Sequence, residues 1–155
     1  MGKAITEYKE IDIIQVPYNI FDRRLDHFGF FQKAKKDGVT VFARSILLQG
    51  LLTMKIDQLP RHLMAAKHYL KDFENLCKEA HISQLEAAIH FVNAHDGIDY
   101  GIFGVDNLQQ LTQILEILNK KRNNVLNHQL YDRFTNVEEK VINPTLWGTT
   151  KKGDE

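Results

Sequence analysis

The most restrictive feature of this sequence is a pair of short, nearly continuous apolar runs flanking one helical stretch. Ile11-Asp12-Ile13-Ile14-Gln15-Val16 is closed by Pro17. After a helical stretch from about Asp22 to Lys36 comes Val39-Thr40-Val41-Phe42-Ala43. Such β-branched runs suit strands covered on both faces. Between them, Leu25, Phe28, Phe31 and Ala34 step by three along one helical face, and Gly38 supplies the stop. Strand, helix and strand within about 30 residues make a βαβ unit. A third run, Ile98 to Phe103, leads into Gly104-Val105. The alternation predicts an α/β fold with a parallel sheet and right-handed crossovers. Three strands are too few to close a barrel. An open three-stranded sheet leaves apolar faces and unpaired edges, as in part of a larger assembly.

The intervening segments supply the helices. Arg44 to Leu59 is a long, mostly apolar connection. Pro60 then opens a helix in which Leu63, Ala66, Leu70, Phe73, Cys77 and Ala80 share one face, with Cys77 as a small core residue. Ser83-Gln84-Leu85-Glu86 is a capping box for a further helix, with Leu85, Ala88, Ile89 and Val92 as its apolar stripe. Asp106 or Asn107 can cap the last strong helix, for which Leu108, Leu111, Leu115 and Leu118 are the expected buried stripe. Leu126 to Phe134 is expected to be helical, and Thr149 to Glu155 to be a flexible tail. The expected division is a lead-in at 1–10, the α/β unit at 11–122 and a C-terminal extension at 123–155.

Composition removes several function classes. Lys plus Arg and Asp plus Glu are 20 each, so the basic excess of a nucleic-acid binder is absent. One cysteine excludes an intrachain disulfide framework and a multi-thiolate zinc site. The histidine pairs His62/His68 and His90/His95 lack the i, i+4 spacing of helical metal ligands, so no metal is expected. The start carries no apolar signal region. The greasiest stretch, Ser45 to Met54, is too short to span a bilayer. A cytoplasmic protein without membrane contact is the expectation.

In parallel α/β folds ligands bind beyond the carboxyl ends of the strands. Three loops qualify: Pro17 to Arg24, Arg44 to Gly50 and Gly104 to Gln110. The last has the best physical case, because a strand ends in glycine and a helix begins near Asn107, leaving N–H donors and the positive helix end for an anion. Ser45 and Gly50 add a hydroxyl donor and close backbone approach. Two such loops side by side suit a diphosphate, although most strand-to-helix turns bind nothing. Arg23-Arg24 either meets an anionic substrate or is an exposed helix start, and Lys120-Lys121-Arg122 reads as a solvated helix end. Neither a Walker motif nor Gly-x-Gly-x-x-Gly is present, and no carboxylate pair stands out as acid and base.

The strings themselves resemble those of the aldo/keto reductases. Ile14-Gln15-Val16-Pro17-Tyr18-Asn19 resembles their sixth barrel strand, and Val39 to Leu52, with Ala43-Arg44-Ser45-Ile46-Leu47-Leu48-Gln49-Gly50-Leu51-Leu52, their seventh strand and its loop. Ser83 to Val92 is similar to the helix before the eighth strand, and Gly104-Val105-Asp106-Asn107-Leu108-Gln109-Gln110-Leu111 to the eighth-strand loop and helix. All occur in family order between about Ile11 and Asn119. The resemblance implies a partial (β/α)8 TIM barrel: the C-terminal half, with about three parallel strands equivalent to strands six to eight and their helices. It implies an NAD(P) site in which Gln15 binds the nicotinamide carboxamide. Arg44 takes the position where many members stack a tyrosine on the nicotinamide ring, and its charge would favour the reduced, neutral ring. Ser45, Leu47 and Gly50 would line the diphosphate, and Gly104, Val105, Asp106, Gln110 and Gln113 the adenosine.

Two departures from the family pattern matter. NADP-preferring members place Lys or Arg near the adenosine 2′-phosphate. Here Gly104, Asp106 and Gln110 stand instead, and Ile114 replaces a common asparagine, so the resemblance leans towards NAD or towards weakened cofactor binding. The family's catalytic tyrosine, aspartate, lysine and histidine belong to the first four strands, and nothing before Ile11 matches them. The implied protein is a cofactor-binding half that is inactive alone, with no catalytic residue assigned. The implied partner is an N-terminal barrel half, or another copy docked through exposed strand edges. The alternatives are a non-catalytic interaction protein or a truncated gene product.

Overall fold

The computed structural model describes residues 10–120 and 128–148. The lead-in before Glu10 and the tail from Thr149 lie outside the described residues, as do the first residues of the expected 126–134 helix.

Three parallel strands, β1 (Ile13–Pro17), β2 (Thr40–Arg44) and β3 (Tyr100–Gly101), lie in the order β1-β2-β3. Ile13 pairs with Thr40, Pro17 with Arg44 and Phe42 with Tyr100. The third strand is shorter than the apolar run predicts. Its ladder continues through single bonds: Asp99 N donates to Val41 O at 3.0 Å and Ile102 N to Ala43 O at 2.8 Å. The Asp99 carboxylate also accepts from Val41 N at 2.7 Å, a side-chain substitute for a ladder bond.

The helices are α1 (Phe30–Lys36), α2 (Lys67–Glu79), α3 (Gln84–Asn93), α4 (Leu108–Asn119) and the short α5 (Glu139–Ile142). Burial alternates along the strands. Val16, Val41 and Ala43 lie in one core with side chains of α1, α2 and α3, at most 1% exposed. The opposite sheet face is open: Ile13 is 59% and Tyr100 58% exposed, and Gln15 is exposed. There the Phe42 and Tyr100 rings stack at 4.7 Å. The expectation of strands covered on both faces is therefore corrected to one face, since the described elements pack on one side only.

Two helical readings also change. The stretch from Asp22 to Lys36 is not continuous. Arg24–Phe28 form a 3-10 turn, and Gly29 (φ 61°) enters the left-handed region before α1 begins. That break shifts the helical phase, so Phe30 and Phe31 are buried while Phe28 is 76% exposed. In α4 the expected stripe Leu108, Leu111, Leu115 and Leu118 points outward. Ile114 and Ile117 are buried instead, against Ile89 of α3. The helix is apolar on two faces, and contact with α3 selects the isoleucines. The capping predictions hold: Ser83 Oγ accepts from Glu86 N at 3.1 Å and Asn107 Oδ1 from Gln110 N at 3.0 Å. Cys77 is buried in the core of α2, as expected.

The segment from His128 packs onto the same core. It opens with a 3-10 turn (His128–Phe134), and Tyr131, Phe134, Val137, Val141 and Ile142 are buried. Arg23 ties it down. Its guanidinium donates to Tyr131 O (3.1 Å), Asp132 Oδ1 (3.2 Å) and Asp26 Oδ2 (2.9 Å), and lies 5.5 Å from the Phe91 ring centre. Neither expected role for Arg23, anion binder or exposed helix start, fits a side chain that is 8% exposed. Arg24 pairs with the Asp22 carboxylate at 2.8 Å.

Candidate functional site

The loop after β2 has the most unusual backbone among the described residues. Ser45 (φ 57°), Leu48 (φ 48°), Gln49 (φ 53°) and Gly50 (φ 85°) all occupy the left-handed region. For the three non-glycine residues this costs about 1 kcal/mol or more each. The rest of the loop offsets the strain. Ile46, Leu48, Leu51 and Leu52 are at most 1% exposed. Leu48 N donates to Ser45 O at 2.9 Å and Gly50 N to Leu47 O at 2.9 Å. Leu52 N reaches the same Leu47 carbonyl at 3.3 Å. Buried leucines thus anchor one side of the loop while Ser45, Leu47, Gln49 and Gly50 line a groove on the other.

That groove, about 1020 Å³, runs between this loop, the segment after β3 and the helices α3 and α4. Eight of the ten residues singled out from the sequence line it: Ser45, Leu47, Gly50, Gly104, Val105, Asp106, Gln110 and Gln113. Space is open above Gly50 and Gly104, with no heavy atom within 4 Å of where a Cβ would stand. Close approach of a ligand to backbone is therefore available at both glycines. The remaining two lie outside the groove. Gln15 and Arg44 sit on the open sheet face, where β1 and β2 pair Gln15 with Phe42 and Pro17 with Arg44. Arg44 Nη1 donates to Ser45 Oγ at 3.3 Å, which joins that face to the groove's first residue.

The start of α4 offers fewer donors than its sequence suggests. Asn107 Oδ1 takes the Gln110 N–H, and Gln110 Oε1 accepts from Asp106 N at 2.8 Å. The first-turn donors left for a ligand are Leu108 and Gln109. Sequence reasoning missed Ser83, Glu86, Glu116 and Lys120, which line the groove along α3 and α4. A signal existed: Gln110, Gln113, Ile117 and Lys120 step by three, four and three along one face of α4. Lys120 does not replace the missing adenosine-side cation, because ten helical residues place it about 15 Å from Gln110.

A second polar cluster has the residue types of a catalytic site without the access. Tyr18 donates to Asp26 Oδ1 at 2.9 Å, and Asp26 also meets Arg23 and lies 3.8 Å from His95 Nε2. Burial, followed by the neighbouring Asp26 charge, pushes the Tyr18 hydroxyl well above the ordinary tyrosine range. Tyr18 is fully buried, and none of these residues lines the groove, so the cluster holds the loop after β1 together. Among the described residues no group of three or more His, Cys, Asp or Glu side chains could hold a metal ion. No helix among them is long and apolar enough to cross a membrane.

The comparisons with known proteins agree with this architecture. The chain is similar to aldo-keto reductase AKR11C1 from Bacillus halodurans. In the holo form the TM-score is 0.67 at 22% identity, over 91% of this chain and 50% of that one. In the apo form the TM-score is 0.70 at 22% identity, over 91% and 51%. A thermostable aldo-keto reductase, Tm1743, solved with the inhibitor epalrestat, matches with a TM-score of 0.58 at 23% identity, over 85% and 43%. The chain thus spans about half the length of the structures it matches, and its three parallel strands and helices correspond to half of their TIM barrel. A search of curated proteins returns no match. The model of the aldo/keto reductase family matches residues 2–134, and the chain belongs to that family.

Proposed function

We propose that the chain is the C-terminal, cofactor-binding half of an aldo/keto reductase barrel, whose groove takes the diphosphate and adenosine of a nicotinamide dinucleotide. The observation that carries this reading is the convergence of Ser45, Leu47, Gly50 and Gly104 to Gln113 on one groove. Members of the family use NAD(P)H, and the bound dinucleotide would supply or accept the hydride in carbonyl reduction or alcohol oxidation. The chain's own contribution is binding and orientation. The open backbone at Gly104 and the Ser45 hydroxyl suit an oxyanion, while Gly50, whose N–H is held by Leu47 O, offers close approach rather than a donor. Gln15 and Arg44 on the open sheet face would receive the nicotinamide end. Asp106 in the groove disfavours a 2′-phosphate, which leans the site towards NAD.

Catalysis needs a positioned acid within hydrogen-bond reach of the carbonyl oxygen. No groove residue is assigned that role, so the isolated chain is inactive and the N-terminal barrel half is its partner in turnover. Titration of the chain with NADH and NADPH by calorimetry tests the site. Failure to bind either sinks it, and equal affinities sink the NAD preference. Aldehyde reduction by the chain alone would overturn the inactivity claim, and activity gained on adding an N-terminal half would support the split arrangement.

The open sheet face and the outward leucines of α4 favour a second reading, an interaction protein that docks a partner or another copy. Sedimentation across a wide concentration range tests it. A monomer throughout, with little binding of a hydrophobic dye, counts against self-association.

A further inference from the structure

We infer that Asn19, which does not line the groove, is the positioning residue that locks the strained loop after β2 into its binding geometry. Asn19 lies two residues beyond β1 and is 1% exposed. Its side chain divides its work. Oδ1 accepts from Phe21 N at 3.0 Å and from Asp22 N at 2.9 Å, which shapes its own turn. Nδ2 crosses to the neighbouring loop and donates to Ser45 O at 3.0 Å. That carbonyl belongs to the first left-handed residue of the loop, and it also receives Leu48 N at 2.9 Å. Tyr18 N donates to Arg44 O at 3.1 Å, so the two strand ends are latched by adjacent bonds.

The physical case rests on strain and convergence. Residues in sparsely populated backbone regions persist only where the surroundings over-determine them. Ser45 begins a run in which Leu48 and Gln49 are also left-handed. A buried amide has to satisfy its N–H group, and here it does so on the one carbonyl whose direction sets Ser45. Removing that donor leaves the Ser45 carbonyl one bond poorer and frees the peptide to relax. The loop would then lose the alignment of Ser45 and Gly50 towards the groove. The consequence for ligand affinity rests on the dinucleotide reading above, whereas the consequence for loop order does not.

Asn19→Asp separates the two jobs, because a carboxylate still accepts from Phe21 N and Asp22 N but cannot donate to Ser45 O. Asn19→Ser is the second variant should the first fail to fold, since it retains a short oxygen acceptor that cannot reach Ser45. Two readouts are taken on the full chain: amide hydrogen exchange, residue by residue, and calorimetric titration with NADH. The expected result is exchange at Leu48 and Gly50 faster by about tenfold or more, with the amides of α3 unchanged, and NADH binding about tenfold weaker, equivalent to about 1.4 kcal/mol. Unchanged protection at Leu48 overturns the inference whatever happens to binding. Equal loss of protection in the loop and α3 also overturns it, because Asn19 would then be a general support of the fold. If the unaltered chain binds no NADH, the dinucleotide reading fails, and the exchange data alone decide the role of Asn19.

Discussion

Gly97, at the turn between α3 and β3, gives the sharpest stability prediction. A Cβ added there would stand 2.6 Å from Phe31 Cβ, 2.9 Å from Cγ and 3.0 Å from Cδ1. Carbon atoms prefer separations of about 3.5 Å or more, so the overlap approaches 1 Å. Phe31 has little room to retreat. It is 5% exposed, and its ring lies 4.2 Å from the His95 ring centre and 5.2 Å from those of Tyr18 and Phe30. Overpacking of this kind costs about 1–3 kcal/mol. Alanine recovers about 0.5 kcal/mol or slightly more by restricting the unfolded chain. The net expectation for Gly97→Ala is a loss of about 2 kcal/mol, or roughly 5 °C in Tm for a chain of this length. Urea unfolding followed by circular dichroism measures it, and the slope should not change. Gly104→Ala is the control, because its Cβ meets open space. It should keep the unaltered midpoint while weakening NADH binding under the proposed function. A Gly97→Ala protein as stable as the parent would refute the account of Phe31 as a ring held on all sides.

Two further perturbations test other parts of the chain. Arg23→Met should cost about 3 kcal/mol, since it removes the cation paired with Asp26, which keeps the Tyr18 hydroxyl bond, and frees the carbonyl of Tyr131. Limited proteolysis should then cut within 128–142 before any site in α3, and simultaneous cutting would count against a local tie. Burial, with a smaller contribution from Glu74, pushes the Cys77 thiol up to about 12 from its ordinary 9.0. The neutral thiol is thus favoured in the folded state. Its stability contribution is complete below about pH 9 and is lost as pH rises towards 12. Cys77→Ala should remove that alkaline loss, and iodoacetamide should label the folded chain far more slowly than the unfolded one.

The strands, the caps and the groove loops were legible because each depends on local chemistry. The βαβ spacing needs only apolar runs and a glycine stop. Ser83 and Asn107 cap helices through side chains adjacent to the amides they satisfy. What was not legible depended on contacts made elsewhere. The break at Gly29 competes with a three-residue spacing that continues across it, and only packing reveals that Phe30 replaces Phe28 in the core. The outward leucines of α4 could not be separated from its isoleucines by periodicity, because both stripes are apolar. Arg23 looked like a candidate for anion binding, yet its main-chain partner lies 108 residues away. Of the eight groove residues, Ser45, Gly50 and those of the Gly104 to Gln110 loop followed from their place beyond the strand ends, whereas Leu47 and Gln113 came through the resemblance. Lys120 was missed because its charge suited a solvated helix end equally well.

The two faces of β1 sharpen the question of what the sheet is shaped to meet. Val16 is fully buried, while Ile13, three residues earlier on the opposite face, is 59% exposed. Placing a lysine at each position should give very different results. Val16→Lys buries an unpaired ammonium and should cost about 3 kcal/mol or more. Ile13→Lys should leave stability within about 0.5 kcal/mol, as for other surface changes. If Ile13→Lys is as damaging as Val16→Lys, and the loss grows with protein concentration, copies of the chain already cover that face. If it is harmless to the isolated chain but abolishes activity reconstituted with an N-terminal barrel half, the face is reserved for that half. The second outcome is expected, because Ile13, Gln15 and Arg44 share the open face and two of them are the proposed nicotinamide contacts. Under the proposed function, a face that presents Gln15 and Arg44 to the nicotinamide end has its remaining apolar surface covered by the chain that completes the site.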